Sequence, residues 1–151
     1  MKEHFIELFE YNFWANEKVI DSIEKLPKHD EHINKIMAHI AATPLYWISR
    51  LTTYELKLKE IFPTATLEEI RKFNLETKEV WDSYLVELDD DKIRDKISYK
   101  NFKGETYTYA LKDILMQLVL HSAYHRGQVA KMVRAAGGIP ASSDYISFKK
   151  G

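Results

Sequence analysis

The chain has no cysteine in its 151 residues. It can form no disulfide, and neither a thiol nucleophile nor a thiolate metal ligand can come from the protein itself. Glycine and proline are scarce, at 5 and 4, so the chain has few natural breaks. Neither sign of charge dominates: 22 Lys and Arg against 23 Asp and Glu leave a net −1. No segment gathers a basic cluster, and without a concentrated positive surface no nucleic-acid partner is expected. No apolar run approaches the roughly 20 residues that span a bilayer. The N-terminus, MKEHFIELFEYNFWANEKV, is charged throughout and unlike a signal peptide. A cytoplasmic protein with no membrane partner is the expectation. What remains is an ordinary globular composition, 45% apolar and 30% charged, which reads as a single domain over residues 1–151 with a proper core.

The few breaks separate four helical stretches. In the first, Phe5, Phe9, Phe13, Val19, Ile23 and Leu26 recur at helical spacing until Pro27. The second is expected from an N-cap at Asp30 to about Lys59, with Pro44 inside it and a kink one turn beyond His39. The third opens on the capping-box pattern Thr66-Leu-Glu-Glu69 and continues to about Leu88. The fourth is expected from about Thr108 to Ala136, stopped by Gly137-Gly138. Alternation around Asn101–Gly104 suggests a small hairpin or extended connection between helices three and four. An all-α four-helix bundle is the economical fold for such a pattern.

Histidines carry the chemical signal. His121 and His125 lie four residues apart, and residues at that spacing are neighbours on one helix face. The series Ile114, Leu118, His121, His125, Val129, Met132 steps by three or four, which puts both on the inward face. His39, three residues after Ile36, sits at the edge of the second helix's apolar stripe. The bland alternative is three histidines satisfied separately by backbone or water, as buried imidazoles need partners. The sharper one is a single divalent metal held by three neutral nitrogens with an open fourth position. His4 and His29 are expected to be solvated, and His32, seven residues before His39, lies about 10.5 Å away along the helix axis, too far to share the ion. Metalloproteases with H-E-x-x-H place a glutamate beside the first histidine, where this chain has Ser122. Di-iron bundles use Glu-x-x-His, which is absent here.

Helix one places Asn12 and Asn16 in the middle of its apolar stripe. They are either edge positions satisfied by water or the lining of a polar pocket around the metal. Gln128, three residues after His125, is a further pocket candidate, while Tyr46 and Trp47 read as core packing.

Tyr11-Asn-Phe-Trp-Ala-Asn16, Ala38-His39-Ile40 with Trp47, and His121-Ser-Ala-Tyr-His125-Arg-Gly-Gln128 together resemble the DinB-like family of metalloenzymes. Gly138-Ile-Pro140 with Asp144 and Phe148 fits the family's ending, so the resemblance spans essentially the whole chain. It implies a four-helix bundle with an unusual connection between helices two and three. It further implies a homodimer and a divalent metal on His39, His121 and His125. Two departures are Gln117, where some relatives carry a further histidine, and Pro44. Relatives with known activities use low-molecular-weight thiols, which implies an S-transferase acting on a small thiol and an electrophile. Asn12, Asn16 and Gln128 are then expected to orient substrate or water, and no side chain is singled out as a catalytic acid or base. The metal would be zinc, nickel or iron, with copper also suited to imidazole. A metal-dependent hydrolase and a catalytically silent metal-binding dimer are the alternatives.

Overall fold

The computed structural model describes all 151 residues, and the protein is mostly helical. Its elements are α1 (Lys2–Glu24), α2 (Glu31–Leu51), α3 (Leu67–Glu87), β1 (Lys96–Lys100), β2 (Thr106–Ala110), α4 (Leu111–Ala135) and α5 (Tyr145–Lys149). The four long helices pack so that α1 and α2 each lie against both α3 and α4. Their starts follow local rules. Asp30 caps α2 through its side chain, and Thr66 and Glu69 close a reciprocal capping box on α3. The strands β1 and β2 form the expected antiparallel hairpin, with Lys100 opposite Thr106 and Gly104 in the left-handed region at φ 80°. No helix is long and apolar enough to cross a membrane.

Two boundaries and one short element differ from the sequence expectation. Helix α2 stops at Leu51, not near Lys59. Thr52 turns extended, its hydroxyl donates to the Ile48 carbonyl, and the Tyr54 amide donates to that hydroxyl. These local bonds compete with continued helix. Beyond them, Tyr54, Leu56 and Leu58 are half-buried while Glu55, Lys57 and Lys59 are exposed. That is a period of two, not of 3.6. Helix α4 begins at Leu111, because Thr106–Ala110 is engaged in the hairpin. The short α5 had no periodic signal of its own. It is held against α1 by Tyr145 and Phe148, whose rings lie 5.3 and 5.8 Å from Tyr11. Helix α2 runs unbroken through Pro44. Side chains supply donors to carbonyls around the proline: Thr43 to His39, Thr77 to Ala41, and the Trp81 indole to Pro44 itself.

The apolar core is divided in two. One cluster gathers Phe5, Phe9, Phe13, Ile48, Trp81, Leu85, Leu115 and Leu118. The other gathers Val19, Ile20, Ile23, Met37, Ile40, Ile70, Val129 and Val133. Along α1, α3 and α4, buried polar residues fall in the gap between the two: Asn12 and Asn16, Asn74 and Thr77, Ser122 and Arg126. The chain therefore builds a polar layer across the middle of its helices. The histidines lie at the edge of that layer.

Candidate metal centre

The centre of the buried stripe on α4 runs through Leu118, Ser122, Arg126, Val129 and Val133, and His121 and His125 flank it half-buried. On α2, His39 is buried. The helical spacing and the packing of α2 against α4 bring one ring nitrogen of each within 4.8 Å of the others. His39 Nε2 and His121 Nε2 are 3.0 Å apart. His4, His29 and His32 are exposed and lie outside the group.

Hydrogen bonds at the far side of the rings decide which nitrogens face inward. His39 Nδ1 lies 2.7 Å from the Ile61 carbonyl, which can only accept, so Nδ1 carries the proton and Nε2 keeps its lone pair. His125 Nδ1 donates in the same way to Gln128 Oε1 at 2.7 Å. His39 Nε2 must therefore accept from His121 Nε2, which leaves His121 Nδ1 buried and without a partner. Burial is the main cause holding the pKa of both rings below the ordinary value. His39 is lowered, and His121, with His125 and His39 adding to the effect, is pushed down to about 4. Both rings are neutral near pH 7, the form that binds metal.

The donor set fits a divalent metal. Tetrahedral zinc with Zn–N bonds of about 2.0–2.1 Å sets nitrogen pairs about 3.3 Å apart, within the range of separations found here. Two of the three imidazoles already have the outer hydrogen bond that metal-ligating histidines usually make. The orphaned Nδ1 of His121 shows a third ring whose tautomer is free to change when its Nε2 gives up the proton.

Segment 52–66 closes the site. It follows the early end of α2 and delivers Ile61, and it stacks the Phe62 ring on His39 at 3.9 Å between centroids and 12° between planes. Beside the histidines is a cavity of about 200 Å³, lined by His39, Thr43, Tyr46, Trp47, Arg50, Ile61, Phe102, Gln117, Leu118 and His121. None of these carries a carboxylate. Tyr46 is buried and Trp47 packs against the first core cluster, as expected, and both also line this cavity.

The two asparagines are placed differently from the sequence expectation. Arg126, 3% exposed, donates to Asn12 Oδ1 at 2.6 Å and Asn16 Oδ1 at 2.9 Å, and to the Tyr11 hydroxyl at 3.3 Å. Asn12 also donates to Ser122 Oγ, and Asn16 to Asn74 Oδ1. Neither asparagine bonds to the three histidines. Their amides are taken up in satisfying a buried cation. Gln128 likewise points its carbonyl at His125. Sequence reasoning missed Arg126 because arginine is rarely core, and missed Arg50 altogether. A signal for Arg50 exists: Thr43, Tyr46, Trp47 and Arg50 follow His39 by four, seven, eight and eleven residues, one face of α2.

Comparison with known proteins bears on the family and the fold. A family profile described as the DinB family matches residues 1–151. Protein DinB of Bacillus subtilis (strain 168) is 25% identical over 162 aligned positions, covering 96% of this chain and 93% of that protein. The crystal structure of a DinB-like protein from Bacillus cereus ATCC 10987 superposes with a TM-score of 0.71 at 19% identity. That match covers 93% of this chain and 95% of the other, and shows a shared fold.

Proposed function

The chain belongs to the DinB family, and from that premise we propose that it is a divalent-metal-dependent S-transferase whose long helices form a four-helix bundle. The reaction joins a low-molecular-weight thiol to a small electrophile. The thiolate sulfur attacks the electrophilic carbon, a C–S bond forms, the leaving group departs with its bonding pair, and the thiol proton passes to solvent. One observation carries the reading: three imidazoles converge, and two of them, His39 and His121, line a cavity that holds no carboxylate. A divalent cation held by His39, His121 and His125 would favour the thiolate form of a thiol near neutral pH. The thiol arrives as cosubstrate because the chain has no cysteine to offer. Imidazole donors suit zinc, nickel, iron or copper.

Other residues act by position. Ile61 and Gln128 hold the outer nitrogens of His39 and His125, keeping both rings in the receptive tautomer. Asn12 and Asn16 act at one remove, through Ser122 and Arg126, on the register of α4 beside α1. Hydrolysis is the second reading, and it lacks support from the same cavity, which offers no carboxylate as general base. We further propose a cytoplasmic homodimer, for which Leu120 and Tyr124, 57% and 67% exposed on α4, offer apolar surface.

A conjugation assay tests the function. Metal-loaded protein is mixed with 2-mercaptoethanol or a biological thiol and a chromogenic aryl halide near pH 7. The rate should require metal and thiol together and collapse in His121→Ala. Turnover of an aryl ester without thiol, also abolished in His121→Ala, would replace this reading with the hydrolase.

A further inference from the structure

Arg50 stands on the same cavity as His39 and His121. It makes no ion pair with any carboxylate and donates no hydrogen bond to the protein, in contrast to Arg71, which pairs with Glu17, Asp21 and Glu24. Its guanidinium is held by aromatic rings alone, 4.9 Å from Trp47, 5.0 Å from Tyr99 and 5.5 Å from Phe102. Such stacking fixes the plane of the group and leaves its in-plane N–H donors unused. A second group on the cavity is also unmatched. Tyr46 is 7% exposed and its hydroxyl has no hydrogen-bond partner. Buried hydroxyls are nearly always bonded, and each exception needs a reason.

We propose that Arg50 and Tyr46 form an anion subsite that selects, for the histidine centre, a small substrate bearing a carboxylate. The fork of guanidinium donors matches the two oxygens of a carboxylate, and the tyrosine hydroxyl is a third donor on the same wall. No lining residue competes for the cation. Glu60, the carboxylate that bears on Tyr46, is exposed outside the lining. The cavity volume of about 200 Å³ is below the roughly 300–1,000 Å³ of sites for drug-sized ligands, so a short acid suits it. Phe102 at the hairpin tip, 68% exposed, lies 6.2 Å from the Tyr46 ring and borders the cavity. The assignment of this acid as a reactant rests on the transferase reading. The binding of an acid at Arg50 does not.

Succinate, which carries no thiol, is the direct probe, titrated into the full chain and followed by Trp fluorescence, since Trp47 touches Arg50. Arg50→Met keeps the stem and should weaken succinate at least about tenfold, the scale of losing a bidentate charged pair. Arg50→Lys, which keeps charge without the fork, should fall between. Tyr46→Phe should weaken binding a few-fold. Equal succinate affinity in wild type, Arg50→Met and Arg50→Lys overturns the proposal, as does preference for inorganic phosphate over succinate. Failure of the transferase reading shows differently: no thiol is conjugated, yet succinate binding still depends on Arg50. Kinetics then identify the acid. If Arg50→Met raises KM for 3-mercaptopropionate but not for 2-mercaptoethanol, the thiol carries the carboxylate. If it raises KM for a carboxylated aryl halide but not its neutral parent, the electrophile does. An equal loss with neutral pairs would mean a structural role and would refute the subsite.

Discussion

Gln128→Leu removes the side chain that holds a ligand of the proposed centre while nearly preserving its volume. The amide carbonyl accepts from His125 Nδ1 at 2.7 Å, whereas the corresponding bond on His39 goes to a backbone carbonyl and survives mutation. His121 Nδ1 has no such bond to lose. The substitution therefore isolates one outer-shell contact in three. Loss of such a contact typically lowers metal affinity about 10–100-fold, or roughly 1.4–2.7 kcal/mol. The physical cause is that His125 becomes free to rotate and to switch tautomer, so its Nε2 is no longer held toward the ion. Folding stability of the metal-free chain should change by no more than about 1 kcal/mol, the scale of one neutral hydrogen bond, since Gln128 is only half-buried. Competition with a chromophoric chelator gives the affinity, and urea unfolding of metal-free protein gives the stability. Gln128→Glu should hold or raise the affinity by placing a carboxylate on the same nitrogen. An unchanged metal Kd in Gln128→Leu would refute the argument that this bond orients a ligand.

Acid should act on the site in a defined direction. His39 and His121 have pKa values below 6.5 when folded, His121 about 4, so below pH 6.5 the unfolded chain takes up protons that the folded one refuses. Their contribution to stability is intact above about 6.5 and is lost as pH falls toward 4. Metal release should accompany it, because the ligands must be neutral. Thermal melts and chelator competition from pH 7.5 to 4 check this, and a flat metal affinity over that range would contradict it. In the polar layer, Asn12→Leu withdraws the 2.6 Å acceptor from Arg126 and should cost about 2–3 kcal/mol, the scale of a buried bond to a charged group. A shift under 0.5 kcal/mol in urea unfolding would show that the network does not hold α4.

Periodicity made the helices and the histidine group legible, because residues at i and i+4 on α4 and one on the neighbouring α2 stripe converge whenever the two helices pack. The three-residue capping pattern at Thr66 was equally readable. Errors arose where two kinds of order share apolar residues. Leu56, Leu58 and Ile61 keep hydrophobicity high beyond Leu51, and only the alternation Glu55, Lys57, Lys59 betrays an extended segment. The hairpin expected around Asn101–Gly104 likewise extends to Ala110, where Lys96 pairs with it, and so takes in residues that fit the start of the fourth helix. The spacing of Asn12 and Asn16 marks them as polar groups in an apolar stripe, but it does not name their partner. A buried Arg126 is a tertiary fact, produced by several neutral acceptors on α1 meeting one cation on α4. Local sequence carries no trace of that meeting. Position alone marks Gln128 as a neighbour of His125, whereas its role depends on the direction of its amide, which the ring beside it sets.

The central claim is that His39, His121 and His125 hold one divalent ion, and elemental analysis of the purified chain tests it most directly. Wild-type protein, loaded and then dialysed against a weak chelator, should retain about one equivalent, because three imidazoles hold an ion far more firmly than two. His39→Ala, His121→Ala and His125→Ala should each lose most of it, while His4→Ala and His32→Ala, exposed and remote from the group, should keep it. Full retention in all three single variants of the site would contradict the account.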